Sequence, residues 1–210
     1  YDGMKLTTRD FIGPSSSTLQ MNNLLPESDI NDTNNSIPNI RKNYCVTDKA
    51  DGLRKLLYIS NSGKIYFIPT TMNIQFTGCY TKNKDIFNTL LDGEHIMHNK
   101  KGEFINFYAC FDIYYINNKN ITGLPFINFS EDEKKDEKKE DTKDDSKSKS
   151  KSKELDKINY RLSILASVIS ILNIHSVTES KNSHLKIFVK KFYGSPIFNA
   201  CSNILSSIKN

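Results

Sequence analysis

Between Leu53 and Asn117 two tight-turn sequences punctuate the chain, and they constrain the fold more than any other feature. The runs "LRKLLYIS" and "KIYFIP" are rich in β-formers and are separated by Asn61-Ser62-Gly63, a hairpin signal. "MNIQFTG" prolongs the strand character to Gly78. After a polar break, "IFNTLLDGEHIMH" and "EFINFYACFDIYYIN" flank "NKKG", Asn99 to Gly102, a second tight turn. Short turns join antiparallel neighbours, so these runs predict an antiparallel sheet with a buried centre around Phe107 to Tyr115.

Helical spacing follows the sheet. Leu155, Ile158, Leu162, Leu165, Ile169 and Leu172 form one apolar stripe, which predicts an amphipathic helix. "LKIFVKKFY", Leu185 to Tyr193, alternates like a strand. Ser195 then reads as an N-cap and Pro196 as the first position of a last helix, whose buried face is Ile197, Ala200, Cys201, Ile204, Leu205 and Ile208. Strands followed by packing helices give an α+β domain. The block from Glu131 to Lys153 has no apolar residue and is expected to be a disordered charged insert. The first forty residues, rich in Asn, Ser, Asp and Pro, read as an irregular lead-in or linker, which leaves 41–210 as the domain.

The charged block holds nine acidic and nine basic residues, so the whole net charge of +5 belongs to the rest of the chain. A mildly basic folded surface suits a polyanion such as a nucleotide or RNA. Cys45, Cys79, Cys110 and Cys201 are far apart, which argues against a disulfide scaffold or a zinc site and for a reducing compartment. No signal peptide is visible, and the most apolar stretch, Leu162 to Ile174, is too short to span a bilayer. Beginning at Tyr1, the sequence reads as an excerpt from a longer polypeptide.

The chemistry concentrates in "TDKADGLR". A lysine amine becomes a useful nucleophile when its surroundings lower its pKa, and Lys49, read as lying between two strands, is expected to sit at the end of a rigid element. Gly52 admits close approach of a ligand, Arg54 offers a planar fork of donors to phosphate or sugar, and Asp51 can hold the turn. "LLDGEHI" sets Asp92 and Glu94 around a glycine at the junction of two predicted strands. It is either a carboxylate pair for ribose hydroxyls or a divalent metal, or only a hairpin turn. "FYACFDIYYIN" carries aromatics for stacking on a nucleobase or for the core.

In this order, the three elements resemble motifs I, III and IIIa of the covalent nucleotidyltransferases, which include mRNA guanylyltransferases, ATP-dependent DNA ligases and RNA ligases. The resemblance implies an ATP-grasp-like nucleotidyltransferase fold, antiparallel sheets flanked by helices around a nucleotide cleft. It implies that Lys49 attacks the α-phosphate of a nucleoside triphosphate, that Arg54 contacts ribose or phosphates, that Glu94 binds ribose or metal and that Phe111 stacks on the base, with Tyr108 and Tyr114 nearby. Asp51 and Gly52 complete the nucleotide site, and Asp92 joins Glu94 as a metal ligand. Ala50, where DNA ligases carry a bulky tyrosine, and the lead-in "FIGPSSSTLQMNNL" resemble capping enzymes, above all those of large cytoplasmic DNA viruses.

That family resemblance implies GTP as substrate, Mg²⁺ or Mn²⁺ as cofactor, the 5′-diphosphate end of RNA as acceptor, and a location in the host cytoplasm or virion. It further implies triphosphatase, OB and methyltransferase parts elsewhere in the polypeptide. Two departures stand out. "FIPTT" replaces an Asp-Arg pair of cellular relatives, and the motifs called IV and V are not seen, Lys190 and Lys191 not matching motif V. The domain is therefore expected to be truncated before its C-terminal motifs and to be incomplete by itself. The competing expectations are an ATP-dependent DNA or RNA ligase adenylation domain and a catalytically idle nucleotide- or RNA-binding module.

Overall fold

The computed structural model describes residues 6–29, 37–128, 160–178, 184–194 and 196–209. The charged block, Leu155, Ile158 and Ser195 lie outside the described residues. The chain divides into two units. Within the described residues the first comprises 6–13, 50–127, 160–178 and 184–190, and the second 14–29, 37–49, 128, 191–194 and 196–209.

The first unit holds one sheet. Its strands are β1 (Leu53–Ile59), β2 (Lys64–Pro69), β3 (Gln75–Thr81), β4 (Thr89–His98), β5 (Phe104–Ile116), β6 (Lys119–Asn120), β7 (Ile174–Ser176) and β8 (Lys186–Val189). Their order across the sheet is β6-β5-β4-β1-β2-β3-β7, with β8 also paired to β5. Both predicted turns form. Gly63 closes the first with its N–H on Ser60 O at 3.0 Å and a φ of 79°, a left-handed value that favours glycine. In the second, Gly102 N–H reaches Asn99 O at 2.9 Å, while Asn99 Oδ1 accepts from the N–H groups of Lys101 and Glu103.

The sheet buries unlike groups on its two faces. On one, Leu57, Ile59, Ile65, Leu91, Cys110 and Ile113 pack with Ile164, Leu165 and Val168 of helix α1 (Arg161–Ile171). On the other, a smaller cluster of Leu56, Leu90 and Tyr114 gathers Phe11, Tyr58, Ile68 and Tyr115. Carbonyls of the preceding loop satisfy the start of α1, since Arg161 N–H donates to Pro125 O and Leu162 N–H to Phe126 O, each at 3.0 Å. The Arg161 guanidinium clamps that helix end to β5 through Asp112, at 2.8 and 3.1 Å.

In the second unit, Val46 and Tyr193 exchange both backbone hydrogen bonds, and Thr47 Oγ1 donates to Lys191 O at 2.8 Å. Arg41 sits over the Phe198 ring of helix α2 (Ile197–Lys209), 4.7 Å from its centroid. Among the described residues no helix is long and apolar enough to cross a membrane.

The elements differ from the sequence reading in five places. β3 starts at Gln75, not Met72, because Pro69 to Met72 form a turn with Met72 N–H on Pro69 O. Asp92 and Gly93 sit in the middle of one strand, β4, and not at a junction, because pairing with both β1 and β5 carries the ladder through the glycine. β8 runs parallel to β5, an arrangement that the long crossover through α1 permits. The packed face of α1 holds the predicted Leu162, Leu165 and Ile169 but is wider than that stripe, since Ile164 and Val168 are buried with Leu165 while Leu162 and Ile169 are half-buried. In α2, Ile197, Ala200 and Ile204 are buried, but Leu205 and Ile208 are 61% and 56% exposed.

Leu165→Ala should therefore cost about 2–5 kcal/mol of stability in urea denaturation, whereas Leu205→Ala should stay within about 0.5 kcal/mol of the unsubstituted chain. Equal losses at the two sites would contradict this placement of the core.

Candidate active site

The register of β1 against β4 builds the site. Arg54 lies opposite Glu94 and Leu56 opposite Asp92, so Arg54, Asp92 and Glu94 share the sheet face away from α1. Gly52, just before β1, donates its N–H to Glu94 Oε1 at 2.9 Å. A Cβ at position 52 would stand 2.6 Å from His95 O, so only glycine lets this loop lie flush on β4. The motif's glycine and the half-buried glutamate are thereby locked to each other.

Arg54 is held by a fork. Its Nε and Nη2 donate to Asp92 Oδ1 and Oδ2 at 3.2 and 2.6 Å, and Tyr114 OH donates to Oδ2 at 2.6 Å. Its guanidinium carbon lies 5.4 Å from the Phe11 ring centroid and 5.8 Å from that of Phe111. Asp92 is fully buried. Burial pushes its carboxyl above the ordinary carboxylate range, and the bonds from Arg54 and Tyr114 pull it back. Burial and then the same carboxylate hold the Tyr114 hydroxyl protonated, and the bond to Asp92 strengthens the charge on Arg54.

Two β-bulges aim the aromatics. β4 pairs Leu90, Leu91, Asp92 and Gly93 with Tyr115, Ile113, Asp112 and Cys110, which leaves Tyr114 and Phe111 as the extra residues of β5. Of the three rings considered for a base, Tyr108 is buried with its OH on Lys55 O at 2.7 Å, and Tyr114 is buried on Asp92. Phe111 is the half-exposed one. Asp51 is exposed. Lys49 belongs to the second unit, is exposed, and stands two positions upstream of Asp51 in the chain.

Behind the site, on the opposite face, lies a polar cluster. Lys55 Nζ is 3.0 Å from His95 Nδ1 and 3.3 Å from Gln75 Oε1, over the Phe67 ring. His95 Nε2 is 2.9 Å from Asn106 Oδ1, an acceptor, which assigns the ring proton to Nε2 and leaves Nδ1 to accept from Lys55. Burial lowers the Lys55 pKa, and burial together with the Lys55 charge lowers that of His95 against the opposing Asn106 bond. Among the described residues no group of three or more His, Cys, Asp or Glu side chains is placed to hold a metal ion.

The family model for the mRNA capping enzyme catalytic domain matches residues 35–191. The chain belongs to that family. A probable mRNA-capping enzyme of Acanthamoeba polyphaga mimivirus is 40% identical over 78 residues, which is 37% of this chain and 7% of that protein. The chain thus spans a small part of that relative's length.

Within this capping-enzyme domain, the structure brings Gly52 to Glu94 and Arg54 to Asp92 and Phe111. It gives Asp92 a different position from the one expected of a metal ligand, since both oxygens are committed to Arg54 and Tyr114 in a fully buried setting. Tyr114, named beside Phe111 as a candidate ring, instead supports Arg54 through Asp92, and Phe11, Gly13, Lys55 and His95 join it as surroundings that the sequence reading does not assign. Phe11 and Gly13 lie outside the matched 35–191, and their signal was the "FIG" of the lead-in. Gly13 has a φ of 135°, and a Cβ there would overlap Arg54 Nη2.

Tyr114→Phe leaves Asp92 Oδ2 one donor short in a buried setting, so it should cost about 1–3 kcal/mol in urea denaturation, and a neutral result would show the bond to be dispensable. His95 gives a pH prediction. In the unfolded chain it takes up a proton near its ordinary 6.5, whereas the folded chain resists protonation. The stability it contributes is therefore present above 6.5 and is lost as pH falls through that value towards the depressed folded one. His95→Gln should flatten this fall in the denaturation midpoint, and an unchanged slope would exclude His95 as its source.

Proposed function

We propose that this domain carries the nucleotide-transfer step of an mRNA guanylyltransferase. The Lys49 amine attacks the α-phosphorus of GTP. The new N–P bond forms as the bond to the bridging oxygen breaks, pyrophosphate leaves and the amine proton passes to solvent. A terminal oxygen of the 5′-diphosphate end of RNA then attacks the same phosphorus, and the Lys49 nitrogen leaves and regains a proton. The observation that carries this reading is the Gly52 to Glu94 bond beside the Arg54 to Asp92 fork, which joins two sequence motifs into one preorganised patch three residues beyond Lys49.

In this reading Arg54, fixed by Asp92 and Tyr114, faces ribose or phosphate with little orientational freedom left to lose. Phe111 offers its half-exposed ring to the base. Glu94 suits a ribose hydroxyl or one Mg²⁺ or Mn²⁺, because hard cations accept one carboxylate completed by water and phosphate oxygens. When bound, such an ion supplies neutralisation of the phosphate charge. The buried Asp92 is assigned to positioning Arg54. Further parts of a longer polypeptide belong to the proposal, since the matched mimivirus protein far exceeds the 78 aligned residues.

The test is to incubate the polypeptide that carries this domain with α-labelled GTP or ATP and a divalent ion, and then to seek acid-labile label on the denatured protein. GTP should label it, and Lys49→Ala should reduce the label to background. Label from ATP alone would move the protein to the ligases, and a labelled Lys49→Ala variant would remove the nucleophile.

A further inference from the structure

The face that carries Arg54 and Glu94 continues beyond them. Across the sheet, Arg54 pairs with Glu94, Glu94 with Ala109 and Ala109 with Phe188, so one row crosses β1, β4, β5 and β8 on a common face. The next row runs from Ile96 to Phe107 to Lys186, and His98 pairs with Phe104 beyond it. Alternation in β4 keeps Ile96 and His98 on the side of Glu94. Ile187 and Val189 of β8 join the core with α1, which turns Lys186 and Phe188 the other way.

This extension is aromatic and basic. The rings of Phe107 and Phe188 meet edge-to-face at 5.9 Å, and Lys186 Nζ lies 5.4 Å from the Phe107 centroid. His98 and Phe104 form a second edge-to-face pair at 5.8 Å. Phe188 is 40% exposed and Phe104 52%, so both rings present apolar surface to solvent among the described residues. Lys100 and Lys101 are exposed in the adjoining turn, where the acid Glu103 accepts from Asn99 Nδ2 at 2.6 Å. At about 3.4 Å per residue, the four positions from Glu94 to His98 extend about 14 Å.

We infer that the unpaired 5′ segment of an RNA lies along this face, with its bases against Phe188, Phe107 and Phe104 and its phosphates towards Lys186 and the Lys100-Lys101 turn. The inference deepens the guanylyltransferase reading and rests on it for the identity of the RNA end. Three observations select single-stranded RNA. The exposed rings can stack on any base, the cations complement its backbone, and the rows are continuous with the residues assigned to the nucleotide. A duplex would keep its bases stacked inside and present none to these rings.

The experiment measures fluorescence anisotropy of a short unstructured RNA, labelled at its 3′ end and carrying a 5′-diphosphate, with label transfer from GTP to the protein measured in parallel. Phe188→Ala and Lys186→Glu should each weaken RNA binding about tenfold, and Lys186→Glu should lower the salt slope by about one. Both should leave the GTP adduct unchanged, and Phe188→Tyr should restore affinity. Thermal melting of each variant separates these effects from misfolding, and Lys186, being exposed, is the variant that leaves the core intact.

RNA affinity unchanged in both variants, with the adduct intact, would overturn this surface and leave the guanylyltransferase reading standing. Duplex RNA bound as tightly as the single strand would also overturn it. Binding that depends on Phe188 in a protein that forms no adduct would support the surface and remove the nucleotide-transfer reading.

Discussion

A carboxylate taken wholly out of water costs several kcal/mol unless its lone pairs find donors. Asp92 finds them in the Arg54 fork and the Tyr114 hydroxyl, and each of those groups owes its place to a different strand. The remaining geometry follows. With Arg54 fixed, Phe11 and Phe111 have a cation to lie against, and Gly13 has to remain a glycine because any side chain there would overlap the guanidinium. Asp92 is therefore better understood as the support of Arg54 than as a ligand in its own right. Burial raises its pKa, and the hydrogen bonds from Arg54 and Tyr114 together with the charge of Arg54 oppose that rise.

The sheet divides two tasks between its faces. The α1 face supplies the apolar burial that holds the unit together, and the opposite face is free to carry polar and aromatic groups because its own hydrophobic cluster is small. Bulges at Phe111 and Tyr114 let adjacent parts of one strand serve both purposes. A regular strand would turn every second residue to the core, whereas an extra residue changes the phase and aims the next ring at Arg54. The Lys55 and His95 pair lies across the same two strands on the reverse side. It ties β1 to β4 where Gly52 and Glu94 meet on the front.

Much of this was legible in the sequence because it is local. β1, β2, β4 and β5 announced themselves by composition, and the Gly63 and Gly102 turns by their glycines. Asp92-Gly93 was ambiguous because the dipeptide is common in hairpins, and only pairing on both sides keeps it extended. The apolar spacing of α1 pointed to Leu162, Leu165, Ile169 and Leu172, all of which pack on the core, whereas the burial of Ile164 and Val168 depends on the sheet they meet. Phe11 and Gly13 stand about forty residues from Arg54 in the chain, and no local pattern reports such a contact. Lys55 looked like any strand lysine, since its desolvation depends on Gln75, His95 and Phe67 arriving from three other strands.

The Arg54 fork also bears on the order in which this unit acquires its parts. Its members are separated by long stretches of chain, with Phe11 and Gly13 near one end and Tyr114 in the fifth strand. Contacts of such span form only after the entropy of closing the intervening loops has been overcome. During synthesis Arg54 and Asp92 emerge from the ribosome well before Tyr114, so the carboxylate keeps its water until β5 pairs with β4. The geometry around Arg54 is thus a late product of folding, and a chain interrupted before Tyr114 would carry Arg54 and Asp92 without the hydroxyl that completes their arrangement.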